Sequence, residues 1–308
     1  MSSGAVADAG VVEPEPLHPL EEEEEARPPS AWRTIVGSLE GRIGLALGVV
    51  MLALIAFGRF FAPYEPTEQL VGPQTTGPSG DHLLGTDNLG RDVFSRFLAG
   101  GDTIVLVPLA AVALAFVAGG GLGMLGAYAR GRIDTLITRG FDLLLTLPPL
   151  LLVLVIIAGV GTSNLVLIVT VALVFLPRVG RVLRGATQAV VTNDYVAAAQ
   201  ARGERTWAIL VREVLPNIAA PAIADFALRI TYGVIFVATL NFLGLGAQPP
   251  EPDWGLMVAE SRNFLSVAPW ATLAPALGIA ALSISFNLIA DALTRHLTRE
   301  AARGVVPV

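Results

Sequence analysis

Residues able to do chemistry are few in this chain, and the tightest group of them is His82, Asp87, Arg91 and Asp92. An imidazole, two carboxylates and a guanidinium so close together have the makings of an acid–base or metal site. The surrounding residues argue for something plainer: Thr86-Asp87-Asn88 followed by Gly90-Arg91-Asp92 carries the side chains of a turn and a helix cap. His18 and His296 lie far from His82, so no pair of histidines has the short spacing of a local metal motif. Cysteine is absent, which removes disulfides, thiolate metal sites and cysteine nucleophiles. All 20 basic residues are arginine, and without lysine a phosphate-cradling GxxxxGK[ST] loop is impossible. Any nucleotide hydrolysis has to happen on another chain.

A second candidate is the pair Asp225 and Arg229, set in apolar sequence four residues apart. Charge inside a membrane is costly and by default marks function. On one helix face the two can neutralise each other, so a structural ion pair is the favoured reading and a role lining a pathway is the other. Asp142 and Asp291 fall near span ends, where water is in reach.

The elements that hold these residues are membrane spans. Hydrophobic residues make up 53% of the 308 and charged residues 15%, too few charges to coat a soluble globule of this size. A span needs about 20 apolar residues to cross roughly 30 Å of hydrocarbon. Charge-free runs occur at Ile43 to Gly58, Thr103 to Ala129, Leu143 to Pro177, Ile230 to Pro250 and Asn263 to Ala290. The third is too long for one helix, and the turn-forming GVGTSN from Gly159 to Asn164 divides it. The fold class is therefore all-α integral membrane with six transmembrane helices.

Arginine is retained on the cytoplasmic side during insertion. Fifteen of the 20 lie on the side shared with both termini, against Arg91, Arg96 and Arg262 opposite, so both ends are expected in the cytoplasm. The first 30 residues, with glutamates at 21 to 25 and five prolines, read as a disordered acidic cytoplasmic tail. They lack the basic start and apolar core of a signal peptide. Residues 31–61 hold a stretch from Trp32 to Leu39 and the first span; that stretch either lies flat in the headgroup layer or simply leads into the span. Residues 62–102 form an extracytoplasmic loop, 103–292 a core of five spans, and 293–308 a cytoplasmic tail. A second outer loop covers about 244–268, and these loops can meet a soluble partner or act as lids. In GGGLGMLG, Gly119-xxx-Gly123 lets a neighbouring backbone come close.

Between the fourth and fifth spans stands a charged hairpin, about residues 193–217. Asn193 or Asp194 can cap a helix through Tyr195, Ala198, Ala199 and Arg202, and Gly203 can end it in the left-handed conformation. After the turn, Glu204 to Arg212 has helical spacing in Trp207, Leu210 and Val211, and Pro216 is placed in the first turn of the fifth span. Helices this short are marginal alone in water, so they must rest on the spans or on a partner.

The pattern Ala197-Ala198-Ala199-xxx-Gly203 through Leu215-Pro216 resembles the coupling loop of ABC importer permeases. The family's usual glutamate is Ala197 here, and the histidine before x-Leu-Pro is Glu213. FAPYEP from Phe61, HLLGTDNLGRDVFSR from His82, LNFLGLG from Leu240, PPEPDWG from Pro249 and FNLIADAL ending at Leu293 extend the match over roughly residues 30 to 297. They are similar to the "C-type" subunit of the dipeptide, oligopeptide and nickel branch.

The resemblance implies a type I ABC importer permease fold with a cytoplasmic coupling hairpin. It implies location in the cytoplasmic membrane of a prokaryote and no enzymatic role for this chain. The ATPase-coupling residues are Asp194, Tyr195, Ala198, Ala199, Arg202, Gly203, Arg205, Trp207, Leu215 and Pro216; the outer loop or gate is Phe242, Leu243, Gly244, Leu245, Gly246 and Trp254. Expected partners are a homologous second permease in a heterodimer, two ATPase subunits, an extracytoplasmic binding protein, a peptide cargo and membrane lipid, with no nucleic acid. No cofactor is expected in this chain; ATP and magnesium belong to the ATPases. Nickel or another small solute is the alternative cargo, and an ion-coupled secondary transporter or a membrane scaffold are readings from other classes.

Overall fold

The computed structural model describes residues 36–303, with side chains to residue 295. The acidic tail over 1–30, residues 31–35 of the stretch from Trp32 to Leu39 and the last five residues lie outside the described residues. Among the described residues every regular element is a helix. Five helices are long and apolar enough to cross a bilayer, and six if one bent pair is counted as a single span.

Helix α1, Leu39–Phe57, starts where the Ser38 hydroxyl accepts from the Gly41 N–H at 3.1 Å. It packs along α13, Pro269–Arg303. A side chain at Gly44 would put Cβ 2.7 Å from Leu288 Cβ, and one at Gly48 would stand 2.6 Å from Ser285 Oγ. The gap instead admits a hydrogen bond from Ser285 Oγ to the Gly44 carbonyl, 2.8 Å, and Glu40 pairs with Arg295 at the helix ends.

The second span begins earlier than its apolar run predicts. Helix α2, Val93–Ala99, leads into α3, Asp102–Ala115, then a π-turn at Phe116–Gly120 and α4, Gly121–Ala129. The third span departs from expectation. It is a pair, α5 Gly131–Thr146 and α6 Pro149–Val160, bent by 87°. Two consecutive prolines cause the break: Pro148 pushes Leu147 into extended backbone (φ −85°, ψ 128°), and neither proline can donate to the helix before it. The split at GVGTSN falls where the sequence places it, with Gly161 at φ 91° and the Ser163 hydroxyl capping α7, Asn164–Val190.

Glycine sets the closest approach in the bundle. A Cβ at Gly119 would lie 2.3 Å from the Leu176 carbonyl, and one at Gly123 would lie 2.2 Å from the Gly180 carbonyl, so the π-turn and α4 both touch α7 backbone to backbone. Phe141 of α5 covers Gly180 from the other side. Arg184 holds Asp134 through two bonds of 2.6 and 2.7 Å, and Arg181 pairs with Asp142, fastening α5 to α7. Beyond the hairpin, α11, Ala219–Phe242, crosses α3 at Gly233, where a Cβ would stand 3.0 Å from Pro108 Cβ.

Gly123→Leu should therefore separate α4 from α7 and cost about 3 kcal/mol, the upper range for overpacking a tight core. Gly121, with nothing within 4 Å of its Cβ position, is the control. Thermal unfolding in mild detergent should show a lowered midpoint for Gly123→Leu and little change for Gly121→Leu.

Candidate functional site

The hairpin is two short arms with one buried side. Helix α8, Asp194–Ala201, buries Val196 and Ala199, both fully. The second arm, α9 Thr206–Ile209 followed by a π-turn at Leu210–Val214, buries Ile209, Leu210 and Val214. All five join the main apolar core with residues of α3, α4, α7 and α11. Burial of an aliphatic side chain of this size stabilises by roughly 1.5–3 kcal/mol, so the hairpin is seated on the bundle firmly.

Its turn is a double hydrogen-bonded glycine cap. The Gly203 N–H donates to the Gln200 carbonyl at 2.9 Å and the Glu204 N–H to the Ala199 carbonyl at 3.2 Å, with Gly203 at φ 73°. Arg202 donates to Glu204 at 2.7 and 2.9 Å and stands 3.8 Å from Glu213, so it links the two arms. Glu213 thus lies against an arginine of the opposite arm. Asp194, Ala198, Arg202, Gly203 and Arg205 are exposed, and Trp207, 67% exposed, borders a shallow groove shared with Val117, Leu122 and Leu125. Tyr195 is half-buried against the core and Ala199 is inside.

Two local expectations are corrected. Asn193 occupies the cap position, but neither its side chain nor that of Asp194 accepts a capping bond; α8 starts from extended backbone at Asn193 alone. Pro216 does not begin the fifth span. It sits in a separate turn, α10 Leu215–Asn217, which Ile218 (φ −108°, ψ 12°) divides from α11. Proline cannot donate to the turn before it, and the Asn217 amide donates to the Glu213 carbonyl at 2.6 Å. Leu215 is half-buried and Pro216 exposed.

At the other end of α11 the same cap recurs. The Gly244 N–H donates to the Asn241 carbonyl at 3.0 Å and the Leu245 N–H to the Leu240 carbonyl at 2.9 Å, with Gly244 at φ 74°. Phe242 lies under Arg262, whose guanidinium carbon is 5.4 Å from the ring centre, while Leu243 is exposed. Gly246 leaves room for Asn241, which is fully buried; its Oδ1 accepts from the Ala247 N–H at 3.1 Å and its amide donates to Asp253 at 2.8 Å. Asp253 caps α12, Trp254–Ser261, through the Leu256 N–H at 3.1 Å. Trp254 is fully buried, stacks on Phe97 at 5.3 Å and donates from Nε1 to the Phe97 carbonyl at 2.8 Å.

The cluster around His82 is a clamp between the two outer loops. Asp87 accepts from the Leu89 and Arg91 N–H groups and from Arg91 Nε at 2.6 Å, the turn expected there. Asp92 caps α2 by accepting from Ser95, and His82 Nδ1 lies 2.9 Å from its other oxygen. Glu260, on α12, then receives Arg91 at 2.7 Å and Arg96 at 3.2 Å. Glu260 has no local signature, because Arg91 and Arg96 lie 169 and 164 residues away, whereas Asn241 and Asp253 pair across 12 residues. Among the described residues no cluster of carboxylates and imidazoles is placed to hold a metal ion.

Inside the bundle Arg229 donates to Asp225 at 2.8 and 3.2 Å on α11. A multi-span bundle with a hairpin seated on one end and tied loops at the other, and with an acid–arginine pair on a spanning helix, is the architecture of a membrane transport permease. Residues 115–302 match the model of the binding-protein-dependent transport system inner membrane component. The chain belongs to that family, whose members are inner-membrane permeases of ABC importers working with ATPase and substrate-binding partners. It is a transport component, not an enzyme, and permeases of this family bind no cofactor themselves.

It is similar to the glutathione transport system permease protein GsiD of Pectobacterium atrosepticum, 35% identical over 85% of this chain and 87% of that one. The dipeptide permease DppC of Alkalihalophilus pseudofirmus is 34% identical over 91% and 93%. The di/tripeptide permease DppC of Pseudomonas aeruginosa is 33% identical over 95% of each. Among solved structures, an inward-facing MetNI methionine ABC transporter covers 65% of this chain and 95% of its own with a TM-score of 0.53 at 15% identity, a likeness of fold.

Asp253 supplies a pH test of the outer clamp. Burial pushes its carboxyl up to about 6, against the pull of the Leu256 and Gly255 N–H groups and the Asn241 amide. The folded chain then holds this proton more tightly than the unfolded one. Its contribution to stability therefore declines as pH rises from the ordinary carboxylate range to about 6, and is level above. Melting temperatures at pH 4.5 and 7 should show wild type losing more over that interval than Asp253→Asn.

Proposed function

We propose that the chain is a peptide-translocating subunit whose hairpin is the point of attachment for an ATPase. The observation that carries this reading is the two-sided hairpin: one face continuous with the core, the other an exposed set of small and charged residues around Gly203, namely Asp194, Ala198, Arg202 and Arg205. Such a piece moves with the spans and offers its free side to a partner. ATP and magnesium are held by two ATPase subunits, a homologous permease completes a heterodimer, and an extracytoplasmic binding protein delivers cargo to the side of the Glu260 clamp. Both termini and the hairpin face the cytoplasm, in keeping with the arginine distribution. Peptide cargo is supported by the relatives named for dipeptides, di/tripeptides and glutathione. Functionally the chain divides into the first span with its outer loop and a core over 103–292.

Gly203 allows a clean test, because nothing lies within 4 Å of its Cβ position and only its positive φ resists a side chain. A β-branched residue there costs about 1–2 kcal/mol of backbone strain, whereas asparagine tolerates the conformation. At equal membrane abundance, Gly203→Val should lower ATP-dependent peptide uptake about tenfold and Gly203→Asn much less. Unchanged uptake in Gly203→Val would count against the hairpin's role.

Orientation is checked separately. The chain has no cysteine, so a single Ala201→Cys gives one labelling site. A membrane-impermeant maleimide should reach it in inside-out vesicles and not in intact cells.

A further inference from the structure

Between α6, α7 and α11 lies an open groove of about 440 Å³, within the size range of small-molecule sites. Its walls include Phe175, Arg178, Arg229, Tyr232, Phe236 and Thr239. The two arginines are at one level. At about 1.5 Å per residue, Arg178 is about 21 Å from Asn164 at the start of α7, and Arg229 about 20 Å from Phe242 at the end of α11. Those two helix ends are neighbours, since Gly246 lies against Leu167.

The arginines of α7 are treated unequally. Arg181 and Arg184 have Asp142 and Asp134. Arg178 has no carboxylate among the described residues, only a bond from Nη1 to the Val174 carbonyl one turn back at 3.2 Å. Arg229 spends Nε and Nη2 on Asp225, and its Nη1 takes no part in that pair. The groove therefore carries two guanidinium groups against one carboxylate, walled by Phe175, Tyr232 and Phe236. An uncompensated cation at this depth is costly unless water or an anion meets it. The complementary ligand is a small molecule with one carboxylate and an apolar side chain.

We propose that this groove is a cargo-contact site in which Arg178, helped by Arg229, takes the terminal carboxylate of a short peptide while the aromatic wall takes an apolar side chain. The proposal rests on the peptide-importer reading above. Open, aromatic and net positive, the groove fits such a cargo as it passes. Arg178 is then a specificity-determining residue, since the bond it makes to its own helix leaves most of its donors for a ligand.

The test uses the complete importer, with its second permease, ATPases and binding protein, reconstituted in proteoliposomes. Uptake of alanyl-phenylalanine is compared with that of its C-terminal amide for wild type, Arg178→Gln, Arg178→Met and Arg178→Lys. The same binding protein serves every arm, so its own preference cancels when acid-to-amide ratios are compared between variants. The expected result is a ratio at least fivefold lower in Arg178→Gln and Arg178→Met, with Arg178→Lys recovering most of it. An unchanged ratio in working importers overturns the proposal and leaves the peptide reading intact. Loss of the second permease on co-purification, with Arg178→Met as with Arg178→Gln, makes Arg178 an interface residue and also overturns it. Failure of assembled wild type to take up either peptide overturns the peptide reading itself, and this site with it.

Discussion

The backbone contact of α7 with α4 and the π-turn before it governs the geometry of the hairpin end of this protein. Gly119 and Gly123 leave no room for a side chain, so the Leu176 carbonyl sits directly on the π-turn and the Gly180 carbonyl on α4. In a bilayer, where apolar surface gains little by leaving lipid for protein, close packing of this kind is a main source of helix association. It fixes the middle of α7, which runs on to Val190, and the hairpin follows after a short turn. The arginine pairs to Asp134 and Asp142 add orientation to a placement that the glycines have already decided.

Electrostatics organise the outer side instead. Arg91, Arg96, Asp87 and Glu260 form a largely buried network in which opposite charges stand 2.6 to 3.7 Å apart, and it ties the first loop to the last. Trp254 closes the same junction with apolar area and one indole bond. The loops are consequently struts with a fixed relation to the spans, rather than free covers over them.

The sequence made the short-range features legible. A left-handed glycine after a run of alanines locates the turn at Gly203, the GVGTSN break is a turn, and the acid–arginine spacing at Asp225 and Arg229 is that of one helix face. The bend at Pro148 was hidden because an apolar run scores as a span whether or not its backbone can stay straight. The capping residues at the hairpin's start illustrate a different limit: Asn193 has the right type and backbone, yet its side chain accepts nothing. Glu260 and the groove around Arg178 could not be read at all, since each is defined by neighbours that only the folded bundle brings near. Charge and capping residues located the hairpin and family resemblance the loop motifs, but neither gave a hint of which partner each side chain would find.

One uninterrupted helix, α11, runs from the hairpin end toward the Glu260 clamp, and at Gly233 it packs tightly on Pro108 and Val112 of α3. A stiff rod bearing on a neighbour partway along its length tilts about that fulcrum. By helix rise, about 21 Å lies on the hairpin side of Gly233 and about 14 Å on the clamp side. For a tilt about this point, a shift of the inner end swings the outer end the opposite way through about two-thirds of the distance, so the two mouths of such a bundle would open in alternation, like the pans of a balance.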